Sequence, residues 1–169
     1  ALDLIRQSDG RLDRHRLTRF VVAYQTVAPL TIGELWAWPG MLKLALIENL
    51  RRLAEDMLQG RTARLEADRY LAHFDTTPEA APLLPLPVVL HPTFAVQLLQ
   101  RIREYGPSAS PLRAALAERL RVQATAEEDA IRTEHSRQAT AQVAIANAVT
   151  SLRLCSTLDW VEYVETVSL

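Results

Sequence analysis

The sequence has few of the residues that usually announce chemistry. Its single cysteine, Cys155, among 169 residues cannot form an internal bridge, which excludes a disulfide framework. With apolar neighbours and no adjacent histidine, it reads as a packing residue and not as a nucleophile. The five glycines, at positions 10, 33, 40, 60 and 106, are too dispersed to cradle a phosphate, so nucleotide binding by a P-loop is excluded. The histidines, at 15, 73, 91 and 135, show no ligand spacing, and with one cysteine no metal site is expected. No Gly-x-Ser-x-Gly elbow offers a serine nucleophile. Nothing in the chain calls for a cofactor, and no catalytic residue is assigned. The formal charge of −1, divided as +2 over residues 1 to 74 and −3 over 75 to 169, argues against a nucleic-acid partner.

Long insertable hydrophobic runs are also missing. The longest uncharged stretch, Ala80 to Gln100, is 21 residues. It is nominally long enough to span a bilayer, but Pro82, Pro85, Pro87 and Pro92 would break the helix that lipid demands. The run from Gln138 to Leu152 is uncharged yet too polar to insert. No membrane span is expected. The chain opens at Ala1-Leu2-Asp3 with no initiator Met and no signal-like segment, and it is read as an excised piece of a longer protein.

What remains is an ordinary globular composition: 49% hydrophobic and 23% charged. A chain of this length can bury about 70% of its unfolded surface without staples. Strand signals are weak throughout, and helical periodicity dominates. The spacing predicts an all-α, multi-helix bundle with one long central helix, residues 1–169 forming a single accessory domain.

A first helix starts near Asp13, with Leu17, Phe20, Val21, Tyr24 and Val27 on one stripe, and stops before Pro29. Thr31-x-x-Glu34 reads as a capping box, but Pro39 falls inside that start, so the main helix is expected to begin at Pro39 and run to about Phe74. Within it, residues 41 to 47 are apolar on nearly every face except Lys43 and should occupy the centre of the core. Gly60 is the expected kink. Residues 75 to 92 hold five prolines and form an extended connector lying on the protein. Further helices are expected over about 93 to 105, over 111 to 123 with Ser110 as cap, from Thr125-x-x-Glu128 to Leu154, and around 158 to 167. The small residues between Ala139 and Ser151 would let another helix approach closely.

Three constellations stand out as candidate interaction or ligand sites. Glu34, Trp36 and Trp38 sit at a turn where indoles stack on a sugar or plug a core rim. Glu48, Asn49 and Arg52 follow the most apolar turn and are expected in a buried or half-buried network holding helices in register. Glu134, His135, Arg137, Gln138 and Gln142 interrupt the apolar ladder of the C-terminal helix; they either hydrogen-bond across the bundle or face another domain. Glu34 and Glu48 as paired carboxylates would be required by an enzymatic reading.

The same positions carry a family resemblance. The stretch from Phe20 to Ala54, which contains Glu34-Leu-Trp-Ala-Trp-Pro and Ile47-Glu-Asn-Leu-Arg-Arg, strongly resembles the amino-terminal part of cyclic β-1,2-glucan synthases. Glu134-His-Ser-Arg-Gln-Ala, Asn147 to Leu154 and Asp159-Trp-Val-Glu resemble a later part of that region. The resemblance implies a very large inner-membrane enzyme of Gram-negative bacteria that builds and cyclises a periplasmic glucan from UDP-glucose. It places this segment ahead of the membrane-embedded glycosyltransferase, on the cytoplasmic side. The Asp-x-Asp pair such a transferase needs does not occur here, and Gln100-Arg-Ile-Arg103 is followed by Glu104 where the family motif has Trp. The expectation is therefore a non-catalytic scaffold that docks on other domains of the same polypeptide. The alternative is a glucan- or nucleotide-sugar-binding module built on Trp36, Trp38 and the Glu48 to Arg52 network.

Overall fold

The computed structural model describes residues 1–76 and 85–168, and the described residues contain seven α-helices, one 3-10 turn and no strand. The chain is all-α, as the periodicity requires. In order the elements are α1 (Leu2–Gln7), α2 (Arg14–Gln25), α3 (Ile32–Thr76), α4 (Pro92–Tyr105), a 3-10 turn over Gly106–Ala109, α5 (Ser110–Val122), α6 (Glu127–Thr157) and α7 (Trp160–Val167). They form two compact units, Ala1–Ala54 with Thr140–Leu169, and Glu55–Ala139. Helices α3 and α6 contribute residues to both.

Local chemistry explains the helix starts. Asp13 accepts from the Arg16 amide at 2.8 Å and caps α2, while Asp159 accepts from the amides of Val161 and Glu162 and caps α7. His91 Nδ1 accepts from the Thr93 amide at 3.2 Å ahead of α4, so Pro92 is the first residue of that helix and not the end of the connector. Residues 77–84, with Pro78 and Pro82, lie outside the described residues. Beyond them, Leu86 and Leu90 are buried in the core of the second unit.

Helix α3 begins earlier than the proline argument suggests. Glu34 accepts from the Thr31 amide at 2.7 Å and hydroxyl at 2.8 Å, and the Glu34 amide donates to Thr31 Oγ1 at 3.3 Å, which completes the capping box. Pro39 consequently sits inside the helix. An interior proline costs about 3 kcal/mol. The cap and the burial of Leu35 and Leu42, at 2% and 0% exposure, offset it. Two other boundaries differ: α1 carries no strong signal in its six residues, and Ser110 is the first residue of α5, not its cap.

The first unit is built on Ile5, Leu17, Val21, Leu35, Leu42, Leu46, Tyr163 and Val164, with Trp38, Leu50 and Trp160 packed against them. Gly10, at φ +75°, adopts a backbone conformation side chains resist, and a Cβ there would meet backbone atoms of Ala144 and Ala148 at 3.4 Å. The small residues of α6 thus receive this turn. Ser151 secures it, accepting from the Leu12 amide at 2.8 Å and donating to the Gly10 carbonyl at 2.7 Å. The second unit packs Ala67, Leu71, Phe94, Leu98, Leu112 and Leu116 into a separate apolar cluster.

Residues 41 to 47 are not the centre of the core. Leu42, Ala45 and Leu46 are buried, but Met41, Leu44 and Ile47 are 52%, 69% and 55% exposed. A helix turns only one face to a given neighbour, and here the opposite face is also apolar. Gly60 is buried within α3 for a steric reason: a Cβ there would lie 3.0 Å from an Arg137 nitrogen and 3.6 Å from Thr93 Oγ1.

Candidate functional site

The candidate residues separate into four environments. In the first, a cleft of about 340 Å³ opens among α1, α2 and α3, lined by Asp3, Phe20, Val21, Tyr24, Leu30, Glu34, Trp38 and Met41 among others. Phe20 stacks with Trp38, at 5.8 Å and 10°, and with Tyr24, at 6.3 Å and 20°. Hydrogen bonds from the Thr31 amide and hydroxyl hold the Glu34 carboxyl below its ordinary pKa and keep it ionised. The Trp38 indole N–H is shielded from solvent with no partner among the described residues. Such an orphan donor costs roughly 1–3 kcal/mol.

The second environment is the outer face of α3. Trp36, at 49% exposure, does not line the cleft; on the helical wheel it shares a face with Gly33, Gly40, Leu44 and Ile47. Nothing lies within 4 Å of where a Cβ on Gly33 or Gly40 would be.

Glu48 and Arg52 make the third. Arg51 donates to Glu48 at 2.7 and 2.9 Å and Arg52 at 3.1 Å, all within α3 and all exposed. The Arg51 bonds lead in lowering the Glu48 pKa, to about 2. These are intrahelical surface pairs; the expected half-buried network between helices is not what Glu48 and Arg52 form. Asn49 points elsewhere, its Nδ2 lying 3.4 Å from where a Cβ on Gly10 would be. Glu34 and Glu48 are fourteen residues apart on one helix, about 21 Å along its axis, far beyond the separation at which two carboxylates share a substrate.

The buried polar network is the fourth and lies in the second unit. Glu134, 1% exposed, accepts from Thr93 at 3.0 Å, Gln138 at 2.6 Å and Arg137 at 2.9 and 3.1 Å, with Arg64 at 3.7 Å. Arg137 also pairs with Asp56. Burial opposes ionisation of Glu134, but the bonds from Arg137, Gln138 and Thr93 outweigh it, and the net pKa is lowered. Two carboxylates facing two guanidiniums leave no unpaired charge, so the network suits a structural role. His135, two residues from Arg137, is exposed and outside it. Sequence reasoning missed Thr93, Asp56 and Arg64 because their partners are remote in sequence; Gly60 beneath Arg137 was the available signal.

A second cavity of about 430 Å³ is lined by Leu99, Ile102, Arg103, Arg113 and Glu127 among others, with Arg113 paired to Glu127 at 3.6 Å. Among the described residues no cluster of three or more His, Cys, Asp or Glu side chains could hold a metal ion, and no helix is long and apolar enough to cross a membrane.

No protein-family model matches the chain. Against individual proteins, 97% of the chain aligns with the cyclic beta-(1,2)-glucan synthase NdvB of Rhizobium meliloti (strain 1021) at 31% identity, while spanning 6% of that protein's length. By sequence, the chain is therefore similar to a short segment of that cyclic β-(1,2)-glucan synthase.

Proposed function

We propose that this segment is a non-catalytic helical scaffold that docks on other domains of a glucan synthase. The observation that carries the reading is the outer face of α3, where Trp36, Leu44 and Ile47 stand 49%, 69% and 55% exposed around Gly33 and Gly40. A helical face that joins bulky apolar side chains to small ones, with Lys43 as its one charge between Gly33 and Ile47, fits close packing by a partner. The similarity to a far longer synthase supports a partner in the same polypeptide. The parent enzyme would sit in the inner membrane and polymerise glucose from UDP-glucose, with this segment on the cytoplasmic side.

The geometry favours docking over chemistry. Glu34 is committed to a cap, Glu48 to surface pairs and Glu134 to a neutralised network, so none of these three carboxylates faces another across a common substrate position. Of the residues nominated for the binding-module alternative, Glu34 and Trp38 line the cleft among α1, α2 and α3. Incubation of the 169-residue chain with UDP-glucose tests the reading. Release of UDP or glucose at background rate is expected, and turnover above background overturns it.

A further inference from the structure

We infer that the partner covering the outer face of α3 presents an aspartate or glutamate to Lys43 from an otherwise apolar segment. The inference rests on the docking reading above and goes beyond it by stating the partner's chemistry.

Lys43 is the one lysine of the sequence. It lies seven residues after Trp36 and four before Ile47, spacings that put all three on one side of α3. Around it Trp36, Leu44 and Ile47 are exposed, and a Cβ on Gly40 would meet nothing within 4 Å. Lys43 itself is half-buried, and among the described residues no carboxylate pairs with it. The group it does reach is the Cys155 thiol of α6, whose pKa burial pushes up and Lys43 only partly pulls back. A thiol held neutral supplies no counter-charge. The next cations along the helix, Arg51 and Arg52, are both taken up by Glu48, five residues beyond Lys43 and on another side of α3. An apolar partner laid over this face strips water from the Lys43 ammonium, and a desolvated charge without a counter-ion opposes the very packing that buried it. A carboxylate opposite Lys43 turns the same burial into a charge-assisted bond. The apolar side chains around that pair then exclude water, and the pair fixes the register in which the partner docks.

Carbodiimide coupling of the longer protein proposed as the parent tests this, because the reagent joins an amine to a carboxylate that touches it, with loss of one water. Mass spectrometry identifies the product, since Lys43 is the one side-chain amine in residues 1–169. An amide between Lys43 Nζ and an aspartate or glutamate outside residues 1–169 is expected. Maleimide labelling of Leu44→Cys, compared between the longer protein and the 169-residue chain, reads docking separately. Lys43→Met strands the partner's carboxylate and should speed that labelling about tenfold in the longer protein relative to the same variant of the short chain. Lys43→Arg keeps the charge and should leave the labelling slow while abolishing the amide. If Leu44→Cys is protected but Lys43 couples to nothing outside residues 1–169, or if Lys43→Met leaves the protection intact, the inference is overturned and docking stands. Coupling to a second copy of this chain, or protection that requires anionic lipid, overturns it as well. Equal labelling of Leu44→Cys in the two proteins removes the docking reading and this inference with it.

Discussion

The two charge clusters of this chain share a spacing and differ in everything else. Glu48 meets Arg51 and Arg52 at i+3 and i+4, and Glu134 meets Arg137 and Gln138 at i+3 and i+4. The first set lies on the solvent face of α3. The second is buried and reaches Thr93, Asp56 and Arg64. Identical local patterns therefore carry opposite energetic weight, because the desolvated carboxylate depends on each partner while the solvated one has water in reserve.

Breaking the buried cluster should have the largest consequence. Glu134→Ala leaves Arg137 without its main partner inside the second unit and should cost about 3–5 kcal/mol, measured by urea unfolding. Acid should erode the same interaction. The folded pKa of Glu134 is depressed, so its contribution is complete above the ordinary glutamate range and fades as pH falls through the lowered folded value. The stability gap between wild type and Glu134→Gln should accordingly narrow as pH falls below the ordinary glutamate pKa of about 4.3. A gap that widens on acidification would contradict the assignment.

Glycines within α3 sharpen the comparison at a smaller scale. Gly40→Ala meets open space and should stabilise the chain by about 1 kcal/mol through helix propensity. Gly60→Ala must displace Arg137, which Glu134 and Asp56 hold, and should lose that gain and destabilise by roughly 0.5–1 kcal/mol. Thermal melting of the two variants should move in opposite directions. The smallest effect belongs to the exposed cluster: Glu48→Ala should leave the unfolding midpoint within error of wild type.

The helical class, the Asp13 cap, the Thr31–Glu34 box and the extent of α3 toward Phe74 were all legible in the sequence, because each rests on short-range geometry. Exposure was not. Residues 41 to 47 look like a core turn because both faces are apolar, and a sequence pattern counts apolar residues without saying how many neighbours there are to cover them. Glu48 and Glu134 likewise cannot be ranked by spacing alone. The cleft was half visible: Trp38 and Glu34 were nominated, whereas Asp3, Phe20 and Tyr24 needed the packing of α1 and α2 to join them.

Whether the outer face of α3 is a covered surface in the proposed parent protein can be measured by maleimide labelling of Leu44→Cys, in the 169-residue chain and in that longer protein, with Cys155 buried as the internal reference. Rapid labelling in the short chain and at least tenfold slower labelling in the full-length protein is the expected result. Equal rates in both would show that nothing packs on this face and would contradict the docking role.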